Sequence, residues 1–355
     1  MKERIVEFAS SLLVFLLAVL LGGIFLLLTG HKPLPVYGAM FSSAFVNPYG
    51  LSETLVRSVP LCMCAMSVAF CLKASLWNVG AEGQFLCGCI ASTWVALQFG
   101  HCHPLLGIPM MLVAGFLGGA VWASVAGFLK SRFDVNEILT TLLMNYIAIE
   151  LIYYLVYGPW KDRVSNFPYT PTFHPNTWFP LIGWQRVHSG CFLVLAMLGL
   201  FYFLFKYTRL GFNIRVMGDN LKAAVYAGIH VKSTIFLTLF MAGGIAGLAG
   251  TVELCGIEHK LHHNIAKGYG YTAIIVAWLG IRHPALILLV SIFMAGLTTG
   301  GEMAQISHNI PLSTVNVLQS TILLFILLSA KIKELFFSWS SPGAKKDLPD
   351  RKSVV

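Results

Sequence analysis

The side chains able to bind or to catalyse are few, and most of them fall in two short stretches. Trp77–Gln84 reads WNVGAEGQ, where Asn78, Glu82 and Gln84 place donors and acceptors between two apolar runs. Asp134–Tyr146 reads DVNEILTTLLMNY, with Asn145 two helical turns beyond Glu137 and Ile138. Such groups are expensive in hydrocarbon unless they pair, line a cavity or reach water. Gly80 and Gly83 permit a break in helical geometry. Trp77–Gln84 therefore reads either as a gate or pathway element or as a cytoplasmic turn whose polar groups see water. Asn136 (or Asp134) and Glu137 suit a helix cap, which leaves Asn145 as the pathway candidate of this stretch. Glu150, farther along, is either near the outer surface or paired inside.

Other constellations do not build chemistry. Cys62-x-Cys64 and Cys87-x-Cys89 lie in apolar runs, and alternate positions on a helix do not face one another, so packing is their default role. His259, His262 and His263 cluster with only Glu258 beside them, too thin a ligand set for a metal. Gly228–Thr234 (GIHVKST) ends like a phosphate loop but lacks the Gly before Lys232 and a preceding strand. Neither G-x-S-x-G nor H-E-x-x-H occurs. No cofactor, metal or catalytic centre is expected, and no ATP hydrolysis on this chain.

The elements that must position these side chains are membrane helices. The chain has 355 residues, 57% of them hydrophobic and 11% charged, with a mean hydropathy of +0.75. A water-soluble domain cannot hide that much apolar surface, so an all-α polytopic membrane protein is expected. Ten uncharged runs give the spans: Ala9–Gly30, Ser58–Leu72, Gly83–Gly100, Leu105–Leu129, Ile138–Gly158, Ser189–Phe205, Ser233–Val252, Gly268–Ile281, Pro284–Gly301 and Pro311–Ala330. Several fall short of the roughly 20 residues of a full crossing, which implies broken or re-entrant helices. The first run reads as a retained span rather than a cleaved leader. Residues 1–331 form the membrane domain and 332–355 a polar tail.

The net charge of +9 is spread over connecting segments, which fits membrane orientation and not nucleic-acid binding. With the N-terminus inside, cytoplasmic segments hold 17 of the 24 Lys and Arg, so both termini are expected in the cytoplasm. Five of the 17 lie in one island, Lys206–Lys232, which holds a single acid, Asp219. Asp219 or Asn220 can cap a short helix there and Gly228 can end it. A small Ala-faced helix at the cytoplasmic surface suits docking in another protein's groove, whereas a solvated loop would merely join two spans. Outside, Pro159–His188 is rich in Pro, Asn and aromatics and should pack as a cap. Gly115–Gly119, Gly243–Gly247 and Gly296–Gly300 have the spacing that brings membrane helices close. Tyr269 and Tyr271, in GYGY, are either interface anchors or rings that stack on a flat ligand.

Taken in order, WNVGAEGQ, NEILTTLLMNYIA with LVYGPWKD, RVMGDNLKAAVYAGI, and AGGIAGLAG followed by GYGYTAIIVAWLG resemble the permease subunits of bacterial ABC importers. The group is the branched-chain amino acid/simple sugar/nucleoside permeases, and the likeness runs from about Leu51 to about Ala330. The NEI…MNY and GPWKD pieces look most like nucleoside permeases. Ser75, Leu221 and Trp278 depart from the residues usual there, namely Gly, Pro and Leu. The resemblance implies a ten-helix importer half in the bacterial inner membrane. It also implies a cytoplasmic ATPase subunit, a second permease subunit and an extracytoplasmic substrate-binding protein. The island would be the coupling segment, with Arg215, Gly218, Asn220, Ala223, Ala224, Gly228 and Ile229 at the ATPase. Asn78, Glu82, Gln84, Asn145, Tyr269 and Tyr271 would border the substrate pathway. A purine or other nucleoside is the cargo expected, with a simple sugar or a flavin as the alternative. An ion-coupled secondary transporter would need mid-membrane acids, for which Glu150 is the candidate, and would leave the island without a role.

Overall fold

The computed structural model describes residues 16–328, apart from 166, 266, 281–282, 312, 323 and 326–327. The polar tail, the Ala9–Phe15 part of the first run, both termini and Arg282 lie outside the described residues. What is described is helical: α1 (Leu16–Leu28), α2 (Pro33–Phe41), α3 (Pro48–Leu72), α4 (Ala81–Phe99), α5 (Pro104–Phe133), α6 (Glu137–Tyr157), α7 (Gly190–Tyr207), α8 (Arg209–Asp219), α9 (Leu221–Tyr226), α10 (Val231–Glu253), α11 (Tyr269–Gly280) and α12 (Pro284–His308). A further helical stretch covers 313–322. No strand occurs among the described residues, only isolated bridges at Tyr169–His262 and Leu181–His188.

Six of these helices are long and apolar enough to cross a bilayer: α3, α5, α6, α7, α12, and α10 with its continuation to Glu258. Two differences from the uncharged runs have a clear cause. Helix α3 starts at Pro48 rather than Ser58, because Glu53 and Arg57 pair within it (3.6 Å) and do not interrupt it. Helix α2 forms where no helix is expected, begun by Pro33 at its first position, where a missing N–H is harmless. Helix α11 has 12 residues, about 18 Å at 1.5 Å per residue, and cannot cross the roughly 30 Å hydrocarbon layer alone. It is the broken helix that the short run Gly268–Ile281 implies.

The chain divides into two compact units, one from residues 1–44 with 297–355 and one from 45–296. The first has its own core of Leu26, Val36, Met40, Ala304, Ile310, Val315 and Leu318, with Tyr37 donating to the Val19 carbonyl (2.8 Å).

In the second unit α3 is buried on nearly all sides, as a helix apolar all round must be. Helices α5 and α10 pack backbone to backbone. A Cβ on Gly119 would strike the Gly243 carbonyl, and one on Gly247 would strike that of Gly115. The two small-residue motifs thus face each other. Ser92 of α4 seals the junction, hydrogen-bonded to Thr251 of α10 (2.6 Å) and donating to the Met111 carbonyl of α5 (3.0 Å). The third motif forms no such pair, since Gly296 lies against the Phe45 ring and Gly300 against the Met40 backbone. The segment before α7 packs on the one after α10 through Thr170 to Leu261, Phe173 to His259 and Phe179 to Cys255, all backbone hydrogen bonds of 2.8–2.9 Å.

Candidate functional site

The residues singled out in Trp77–Gln84 and at Asn145 meet in one buried joint. Asn78 and Gln84 exchange two amide hydrogen bonds, each 2.8 Å, and Asn78 also donates to Ser67 of α3 (3.3 Å). Asn145 accepts from the Gly83 N–H (2.8 Å) and donates to the Val79 carbonyl (2.9 Å) and to the Tyr271 hydroxyl (3.3 Å). One side chain thus ties α6, the start of α4 and α11 together. Asn78, Glu82, Gln84 and Asn145 are at most 1% exposed. They face one another rather than bulk water.

Glu82 holds the end of the broken helix. Its two carboxylate oxygens accept from the N–H groups of Gly268 (3.0 Å) and Gly270 (2.6 Å). Those are donors that the first turn of a helix leaves unpaired, and a carboxylate at the positive helix end satisfies both demands. A Cβ on Gly270 would strike the Glu82 backbone, so only glycine allows this approach. Of the six candidate pathway residues, Tyr271 is the most open, at 38% exposure. Tyr269 instead turns toward Phe85, with ring centroids 5.9 Å apart, and toward the Glu253 carboxylate, 3.5 Å from its hydroxyl. Seven residues after Tyr271, Trp278 lies on the same face of α11, half exposed and stacked on Trp77 at 5.7 Å.

Nearby charges were not legible in the sequence. Glu253 is fully buried at the end of α10 and pairs with Lys267 (2.9 Å), which also reaches Glu258 (2.5 Å). Glu258 in turn pairs with His262 (3.0 Å). His259 stacks on Trp178 (4.1 Å) and His263 lies beside Tyr153 (5.8 Å), so the three histidines point to three different partners. Glu53 on α3 meets Arg186 of the segment before α7 (2.7 Å). Glu253 and Glu53 sit next to or within apolar stretches, and Lys267 and Arg186 lie 14 and 133 residues away, separations with no sequence signal. Glu150 is exposed on α6. Asn136 does cap α6, accepting from the Ile138 N–H (2.9 Å), while Glu137 meets Lys130 (3.2 Å).

The island folds as two short helices. Thr208 caps α8 through the Gly211 N–H (3.1 Å) and Asn220 caps α9 through the Ala223 N–H (3.1 Å). Gly228 follows in the left-handed region, at φ 74°. Ala224 is fully buried against its own chain, whereas Arg215, Asn220, Ala223 and Gly228 are exposed and Gly218 and Ile229 are half-buried. The outward apolar side chains are Leu221, Val225 and, at 93% exposure, Tyr226, which the sequence reading did not single out. The signal for two of them was the i, i+4 spacing of Leu221 and Val225, which puts both on one side of α9. Ser75, at φ 56°, donates to the Gly218 carbonyl (2.7 Å) and ties the island to the segment that carries the joint.

Apolar helices of membrane-crossing length packed around a buried polar joint are those of a multi-pass membrane protein. Residues 50–327 match the family described as branched-chain amino acid transport system / permease component, and the chain belongs to that family. It is 35% identical to the glucose ABC transporter permease protein TsgB13 of Haloferax volcanii, over 92% of this chain and 88% of the relative. It is 30% identical to the nucleoside ABC transporter permease protein NupB of Lactococcus lactis, over 92% of each. The guanosine ABC transporter permease protein NupP of Bacillus subtilis is 28% identical, over 97% of this chain and all of the relative.

Proposed function

We propose that this permease carries a nucleoside as the membrane-spanning part of an ATP-driven ABC importer. The observation that carries the reading is end-to-end similarity to guanosine and nucleoside permeases, together with the GPWKD and MNY pieces. The physics is compatible. Tyr271 and Trp278 present rings along one exposed face of α11, and stacking of a base on such a ring contributes about 1–3 kcal/mol. In this reading Asn78, Glu82, Gln84, Asn145 and Tyr269 hold that face in place from behind, and Tyr271 meets the cargo.

ATP hydrolysis belongs to a separate ATPase subunit, which docks on α8 and α9 through Leu221, Val225 and Tyr226 beside Arg215, Gly218, Asn220, Ala223, Gly228 and Ile229. A second permease subunit completes the pathway and an extracytoplasmic binding protein delivers the cargo. Motion of the island would reach the joint through Ser75, rocking one half against the other. The N- and C-termini lie on the island's side of the inner membrane, which is the cytoplasmic side.

A sugar is the second reading, favoured by the 35% identity to a glucose permease. Proteoliposomes with the complete complex and ATP, offered labelled guanosine, glucose and riboflavin separately, decide between them. Uptake of guanosine is the expected result. Uptake of glucose or riboflavin without guanosine overturns the nucleoside reading, and ATP-independent uptake overturns the importer.

A further inference from the structure

At the foot of α7 a cavity of about 220 Å³ gathers Lys73, Lys206, Arg215 and His283 around the rings of Tyr202 and Phe205. None of its lining residues is acidic. The side chains come from four places: the end of α3, the last turns of α7, the middle of α8 and the residue before α12. Lys206 Nζ donates to the Tyr202 hydroxyl (2.7 Å) and sits 5.0 Å from the centroid of that ring, whose other neighbour is His283 at 6.2 Å. Burial and then the charge of Arg215 hold the Lys73 ammonium below the usual lysine range, and Asp219, the acid acting on it, offsets this only in part. Like charges are therefore held together here without enough acid to balance them.

We propose that this pocket binds the phosphate head of an anionic phospholipid, from the membrane leaflet on the island's side. Lys73, Lys206 and Arg215 supply charge-assisted donors for the phosphate oxygens, and the guanidinium offers a two-pronged fit. A lipid, rather than a soluble phosphate, matches the wall of the cavity. It is built from the end of a membrane-length helix whose last turns also expose Tyr202 and Tyr207, a residue type that settles at the membrane interface. A bound head would join α3, α7 and α8, and so would hold the island against the membrane helices. The inference depends on the chain's being a membrane protein and not on what it carries.

Full-length protein in phosphatidylcholine nanodiscs doped with a photoreactive phosphatidylglycerol provides the test. Labelling is expected in peptides around Tyr202 and Arg215. Excess plain phosphatidylglycerol should suppress it, while excess phosphatidylcholine should not. The double variant Lys73→Gln/Lys206→Gln should weaken labelling by about fivefold for each cation removed, and Lys206→Arg should retain it. Equal suppression by both lipids would show an unselective annulus and overturn the proposal, whether or not the variants fold. Suppression by millimolar inorganic phosphate would assign the pocket to a soluble anion instead. Loss of labelling when the ATPase subunit is added would make the pocket part of a protein interface.

Discussion

The joint around Asn78–Gln84 and the island Lys206–Lys232 are both polar in sequence, yet they are built in opposite ways. In the joint every polar side chain is buried and bonded inside the chain, to a neighbouring amide or to an otherwise unpaired helix N–H. The island buries Ile214, Met217 and Ala224 and leaves Leu221, Val225 and Tyr226 outside. The difference follows from the solvent. An unsatisfied polar group away from water costs several kcal/mol, so in the buried joint the chain completes its own bonds. Beyond the membrane, exposed apolar side chains are tolerable and become useful when a partner covers them. The self-satisfied joint and the incomplete surface are linked through the hydrogen bond from Ser75 to Gly218.

Breaking the joint should have the largest effect. Glu82→Leu strands the Gly268 and Gly270 N–H groups and removes two hydrogen bonds to a charged group, each contributing about 1.5–3 kcal/mol. Thermal unfolding in detergent should fall steeply and uptake should vanish, with Glu82→Gln intermediate. A Glu82→Leu protein of normal stability would show that α11 is not held this way.

The island should respond in the opposite sense. Val225→Asp/Tyr226→Asp should leave stability within about 0.5 kcal/mol, since both residues are exposed. The same variant should abolish co-purification with the ATPase subunit and, with it, uptake. Ala224→Arg, by contrast, should unfold the island, because that position is filled by the chain itself. If the double variant keeps its ATPase, α9 is a linker and the contrast fails.

Acid offers a control outside both regions. His188 is fully buried, stacked on Phe179, and burial, with the nearby His259 and Arg186 charges, pushes its pKa from 6.5 down to about 4. The unfolded chain binds that proton more readily than the folded one. Stability from this group is therefore complete above pH 6.5 and lost as the pH falls toward 4, by about 3 kcal/mol in all. Unfolding midpoints between pH 7 and 5 should drop in the native chain and much less in His188→Phe. The smallest effect belongs to Ser75→Gly. It relieves a left-handed φ of 56° and removes the bond to Gly218, two changes of opposite sign. Stability should move by less than about 1 kcal/mol, and uptake per ATP hydrolysed should fall if Ser75 transmits motion.

Much of this was legible residue by residue. Asn136 and Asn220 cap helices because cap chemistry is local, and the Gly115/Gly119 and Gly243/Gly247 motifs announce close approach by spacing alone. Asn78, Glu82, Gln84 and Asn145 stood out because polar groups in apolar runs need a reason. What those groups bond to was not legible, nor was the pairing of Glu253, which stands one residue past the uncharged run Ser233–Val252. The wall of the α7 cavity was invisible for the same reason, its residues being scattered from Lys73 to His283.

The sequence by itself determined that the chain lives in a membrane as helices, that several of its apolar runs fall short of a full crossing, and that a basic island joins two spans. Those properties depend on hydrophobic length, charge and neighbours within a turn or two. Only the tertiary structure decided that Glu82 caps α11 from 186 residues away, that Ala224 faces inward while Tyr226 faces out, and that four separate segments converge on one basic cavity. Which face of a helix is covered, and which distant donor a buried carboxylate meets, depends on how helices pack, and packing is a property of pairs that no stretch of sequence contains.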